Sequence, residues 1–180
     1  RHRSTASACR RGKPVSGDLA PSLPVTGGGR SQPQRLLHGA CALVVVLCLV
    51  AFWPVTRNGF VDWDDPINFT RNPHFQGLEW SHLRWAWTAF HLGVYQPLAW
   101  MLLELQHALW GLWAQGYHRV SLVLHAVNSV LLLLVTIDLI RRSDPWRFRR
   151  HRRAVVVTAA LSTALFAVHP MRVEVVAWAS

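Results

Sequence analysis

The sequence predicts an all-α integral membrane protein. Three observations carry that reading: 51% of the 180 residues are hydrophobic, they fall in long runs instead of short alternating ones, and blocks of arginine flank those runs. The net charge of +10 could suit nucleic acid, since clustered arginines neutralise phosphates. Here the positive charge sits in Arg1–Arg35 and Arg141–Arg153, each beside an apolar run, which is the pattern of cytoplasmic flanks. Nucleic acid is therefore not an expected partner; membrane lipid is.

Residues 1–35 are rich in Gly, Pro, Ser and Arg and lack apolar periodicity, so a disordered basic tail is predicted. The first span covers about 36–55, "LLHGACALVVVLCLVAFWPV", about 30 Å at helical rise, with Trp53 as an interfacial anchor. Cys41 and Cys48 lie within it, two turns apart, too far to bond to each other. The run at about 94–113 is apolar but carries Glu104, Gln106 and His107 at its centre. Trp100, Glu104, His107 and Gly111 share one helical face, which predicts an interfacial helix with its polar face to water. A second span follows at about 118–140. The "RRSDPWRFRRHRR" segment then carries seven arginines. The last run, about 154–168, is only about 22 Å long as a helix and is expected to continue past Pro170 or to rely on snorkelling arginines.

Counting sides selects three spans over four. If 94–113 crossed, the arginine-rich segment would lie outside, against the positive-inside rule. With three spans, the basic tail and 141–153 are cytoplasmic. The acidic loop, the 94–113 helix and "HPMRVE" then share the outer face of a bacterial inner membrane or the endoplasmic reticulum. The chain starts without Met and stops within an apolar pattern, and is read as a partial membrane domain, 36–180, of a longer protein.

"GFVDWDDPINFTRNP" places Asp62, Asp64 and Asp65 beside the first span. Partial burial by Phe60 and Trp63 would raise a carboxylate's pKa and suit it to general-base work, whereas an Asp-Asp-Pro turn is the plain structural alternative. "HPMRVE" supplies His169, Arg172 and Glu174, either an interfacial corner or an anion clamp. Its spacing is not that of a zinc motif, and no metal site is expected. His125 and Asn128 share a face and are assigned to helix packing. Asn68–Thr70 is a glycosylation sequon.

Taken in order, "FVDWDDPINFTRNP", "YQPLAWMLLELQHALWG", "YHRVSLVLHAVNSVLLLL" and "LFAVHPMRVEVVAWAS" resemble the N-terminal membrane part of the transmembrane and tetratricopeptide-repeat O-mannosyltransferase-like family. The resemblance covers about 57–180. It implies the start of a C-type glycosyltransferase helical bundle, with interfacial helices in the first outer loop and tetratricopeptide repeats downstream. It further implies transfer of a mannose-like sugar from a polyprenyl-phosphate carrier, the donor substrate, to a hydroxyl, a protein acceptor among the candidates. Asp64 or Asp65 would be the base, His169 and Arg172 would lie near the carrier phosphate with Glu174 beside them, and Tyr95 and Gln96 would border the acceptor groove. Gln96 departs from the family, where Arg is more frequent, and that weakens a phosphate contact there. Two other readings stand beside it: a catalytically inactive membrane-anchored repeat scaffold, and a transporter.

Overall fold

The computed structural model describes residues 32–62 and 65–177. The predicted basic tail up to residue 31, together with Trp63 and Asp64, lies outside them. The described chain is mostly helical and contains no strand, as the sequence predicts for an all-α protein. Seven α-helices follow one another: α1 (Gln32–Phe52), α2 (Trp80–Thr88), α3 (Pro97–Trp110), α4 (Ala114–Ser143), α5 (Pro145–Arg150), α6 (Arg152–Ala167) and α7 (Arg172–Ala177).

α1 starts at Gln32, four residues before the predicted boundary. Pro33 explains why the extension is tolerated: in the first turn its missing N–H has no intrahelical partner to lose. The helix tightens into a 3₁₀ turn at Trp53–Arg57, where Pro54 ends the α-helical hydrogen bonding. Two helical segments, 34–57 with 24 residues and α4 with 30, are long and apolar enough to cross a membrane. α6 has 16 residues, about 24 Å at 1.5 Å each, short of the roughly 30 Å hydrocarbon core. α3, at 14 residues, is shorter still.

α1, α4 and α6 pack on one another as a three-helix bundle. α1 and α6 run parallel, since Phe52 and Ala167, at the ends of the two helices, both meet His125 of α4, and Gly39, Ala40, Val156 and Ala160 line the groove between them. α4 runs antiparallel to α1, with Phe52 against His125 and Cys48 against Ser129. The seam is built from small or compact side chains, among them Ala40, Cys48, Ala126, Ser129, Ala159 and Ala160. Such residues let helix backbones approach closely, and packing of this kind can hold helices together where apolar burial alone gives no preference. The outer faces carry Val46, Val50, Val127, Leu131, Leu161 and Leu165, all exposed.

Residues 53–62 and 65–113 fold as an aromatic layer over one end of this bundle. Its core is Phe69, Phe75, Ala86, Trp100 and Tyr117, the last contributed by the first turns of α4. α7 returns to the same end, where Val176 packs with Phe52 of α1 and Leu122 of α4. The arginine-rich α5 caps the opposite end: Asp144 Oδ1 accepts from Arg147 N–H at 2.9 Å, and Phe148 is buried against the bundle.

α3 is amphipathic, but its faces are disposed differently from the predicted ones. Leu98, Leu105 and Leu109 form the exposed stripe, while Trp100 and Glu104 are buried under α2 and the Pro73–Phe75 turn. The polar face is covered by protein because the aromatic layer supplies enough ring surface to enclose it. Asn128 likewise points outward; Ser129, the next residue, takes the interior position beside His125.

Candidate functional site

The acidic loop is anchored to α4 at two adjacent residues. Gly59 C=O accepts from His118 Nε2 at 3.3 Å. Phe60 stacks on Phe69 with centroids 5.0 Å apart and leans on Tyr117. Because a carbonyl only accepts, His118 carries its proton on Nε2 in this bond.

Asp65 precedes Pro66, which opens a π-helical turn at Pro66–Thr70. Its Oδ2 accepts from Val61 N–H at 2.8 Å, and the residue is 1% exposed. The carboxylate thus closes the loop on itself. This is the turn role that an Asp before Pro fulfils readily. Asp62 is exposed. Asp64 lies outside the described residues. Asn68 of the sequon is buried, and its Oδ1 bonds His91 Nε2 at 3.1 Å, so its amide is engaged inside the fold.

That Asn68–His91 bond ties the acidic loop to the α2–α3 connection, which carries Tyr95 and Gln96. Tyr95 donates its hydroxyl to Trp87 C=O at 3.1 Å and packs on Phe90. Gln96 precedes α3; its C=O accepts from Trp100 N–H at 3.2 Å, and its side chain is exposed. His91 meets Trp85 and Trp100 edge to face. Burial, and next the His74 ring, hold its pKa below the ordinary value.

His169, Arg172 and Glu174 sit at the α6–α7 corner. His169 Nδ1 accepts from Met171 N–H at 3.2 Å, and its C=O accepts from Arg172 N–H at 2.8 Å. The Arg172 guanidinium lies 4.2 Å from the Phe166 ring centroid. Its Nε is buried and has no partner among the described residues. Glu174 is exposed. The acidic loop seats on α4 at Tyr117 and His118, and α7 seats at Leu122. These seats are about one helical turn, or about 6 Å of rise, apart.

Under α2 and the Pro73–Phe75 turn lies a further carboxyl, on the helix face predicted to meet water. Glu104 is 0% exposed, and neither oxygen has a hydrogen-bond partner among the described residues. Burial pushes its pKa up, and the nearby His82 pulls it partly back. His107, one turn on, is held low by burial and then by His82. The available signal was Trp100 on the same face as Glu104: an indole at i and a carboxylate at i+4, opposite a leucine stripe, mark the covered side of a helix.

A cleft of about 440 Å³ opens between the Pro66–Phe75 turns and α2, lined by Ile67, Arg71, Asn72, His74, Trp85 and His91. His74 stacks on Trp85 with centroids 5.3 Å apart. Comparison with known family models, characterised proteins and solved structures finds no match for this chain.

Proposed function

We propose that this chain is the N-terminal membrane part of a glycosyltransferase that moves a sugar from a polyprenyl-phosphate carrier to an acceptor hydroxyl. The supporting observation is the gathering, at one end of the bundle and on neighbouring turns of α4, of the acidic loop and the Arg172 corner. The arginine-rich α5 lies at the other end, which suits three crossings with the arginines inside and the site outside.

The two carboxylates divide the work. Asp65 is a positioning residue: buried and bonded to Val61 N–H, it fixes the loop. Asp64 is the base. It takes the acceptor's hydroxyl proton as the acceptor oxygen attacks the anomeric carbon. The bond from that carbon to the phosphate oxygen breaks, and the carrier phosphate leaves with the bonding pair. Arg172, whose guanidinium keeps an unpartnered Nε, offsets the charge on that leaving phosphate.

The test is transfer from a polyprenyl-phosphate sugar by the full-length protein. Asp64→Asn is expected to lower kcat by about a hundredfold or more at unchanged membrane insertion. Asp65→Asn is expected to lower kcat and also to raise protease sensitivity at residues 58–66. Normal transfer by both variants overturns the assignment.

A further inference from the structure

We propose that the cleft between the Pro66–Phe75 turns and α2 binds a phosphate-bearing ligand, held by the Arg71 guanidinium, the Asn72 amide and the His74 ring. The inference goes beyond the transfer reaction and does not depend on it.

Three acceptor oxygens at or beside the cleft are engaged. Asn72 Oδ1 accepts from His74 N–H at 3.0 Å, Asn68 Oδ1 holds His91 Nε2 at 3.1 Å, and Phe69 C=O accepts from Gln76 Nε2 at 3.2 Å. The donors are not. Since a backbone N–H fixes Asn72 Oδ1 as the oxygen, the other amide atom is the NH₂ group. That Nδ2 is buried without a partner on a residue only 4% exposed. Arg71 is exposed and forms no ion pair among the described residues.

Among the described residues, no carboxylate lines the cleft. A neutral sugar would need donors and acceptors in comparable number. A wall with unused donors, one full positive charge and spent acceptors instead matches an acceptor-rich anion. The volume of about 440 Å³ falls within the range of small-ligand pockets, so a phosphate with an attached group can enter. Exposed Trp80, Trp87 and Phe90 on α2 and just after it suit a lipid headgroup level, so the phosphate can come from a lipid or from solution.

The test uses the chain in phosphate-free maltoside micelles, with binding measured by calorimetry. Decyl phosphate, decanol and inorganic phosphate are the probes. The expected result is saturable binding of at least one phosphate probe, none of decanol, and about tenfold weaker binding in Arg71→Glu. That substitution lies on an exposed side chain, and far-ultraviolet circular dichroism verifies that the fold is kept. A charge-dependent response to decyl phosphate alone assigns the site to a lipid phosphate; a response to both phosphate probes assigns it to the phosphate group itself. Equal binding of decanol and decyl phosphate, equal binding by wild type and Arg71→Glu, or no binding of either phosphate overturns the proposal.

Discussion

In the three-helix bundle a buried polar chain closes completely. Cys48 Sγ donates to Ser129 Oγ, Ser129 Oγ to His125 C=O at 2.9 Å, and His125 Nε2 to Ala167 C=O at 2.9 Å. In the aromatic layer Glu104 is buried at least as deeply, yet among the described residues both oxygens lack a partner, as do Trp100 Nε1, Gln106 Oε1 and Asn72 Nδ2. A buried orphan costs about 1–3 kcal/mol. The contrast separates a scaffold, whose polar groups exist to join helices, from a layer that keeps donors and carboxyls in reserve. The same division runs through the aromatics, since rings crowd the layer and the bundle seam is built largely of small residues.

The largest way to break this contrast is to remove the layer's central ring. Trp100 is 1% exposed and touches the rings of Phe75, Trp85 and His91. Trp100→Ala is expected to cost about 3–5 kcal/mol in the layer. Limited proteolysis should then cut between residues 70 and 95 while α1, α4 and α6 stay protected. Loss of protection throughout would mean that the two regions fold as one unit.

The reciprocal change acts on the bundle. Ala159 is buried in the seam, and Ala159→Leu forces extra volume between close backbones. A cost of about 1–3 kcal/mol is expected, read as a lower denaturation midpoint in detergent. Tryptophan fluorescence, which reports mainly the layer, should shift only at that new midpoint. An earlier shift would place the weakness in the layer instead.

The scaffold was the more legible half. Long apolar runs and arginine flanks located α1, α4 and α6 to within a few residues, because a continuous apolar run has few ways to satisfy its backbone other than a helix. For the candidate residues Asp65, Tyr95, Gln96, His169 and Arg172, the surroundings were not legible. Hydropathy treats Glu104 as polar and sends it to water; it cannot register that the Phe75 turn and α2 fold over that face. Asn128 and Ser129 differ by one position, 100° on a helix, and choosing between them requires knowing which neighbour arrives. Asn72 and His91 gave no signal, since their roles come from contacts across 23 residues of chain for Asn68 and His91 and from one backbone N–H for Asn72.

The buried titratable groups of the layer give it a pH signature. The Glu104 pKa is raised in the folded state above its ordinary value of 4.5. Its stabilising neutral form is therefore fully present below that value and is lost as pH rises through the folded pKa. His91 and His107 are lowered from 6.5, so their contribution is full above that value and is lost as pH falls through their folded pKa values. The two trends oppose each other, so the wild-type profile should be flatter than either trend alone. In Glu104→Gln only the histidine trend remains, and stability should rise steadily with pH. Urea denaturation followed by tryptophan fluorescence at stepped pH measures this. An unchanged profile in the variant would show that Glu104 is not a source of the pH dependence.

The smallest effect belongs to the satisfied side of the contrast. His125→Phe keeps a ring beside Phe52, whose centroid lies 5.4 Å away, but deletes the donor to Ala167 C=O. Bonds between membrane helices average about 0.6 kcal/mol, because the separated helices also find partners. A loss of that size in detergent denaturation is expected. The α6–α7 corner starts directly after Ala167, so a much larger loss, above about 2 kcal/mol, would mean that the bond also holds the Arg172 corner in place. The polar chain of the bundle would then belong to the site as well as to the scaffold.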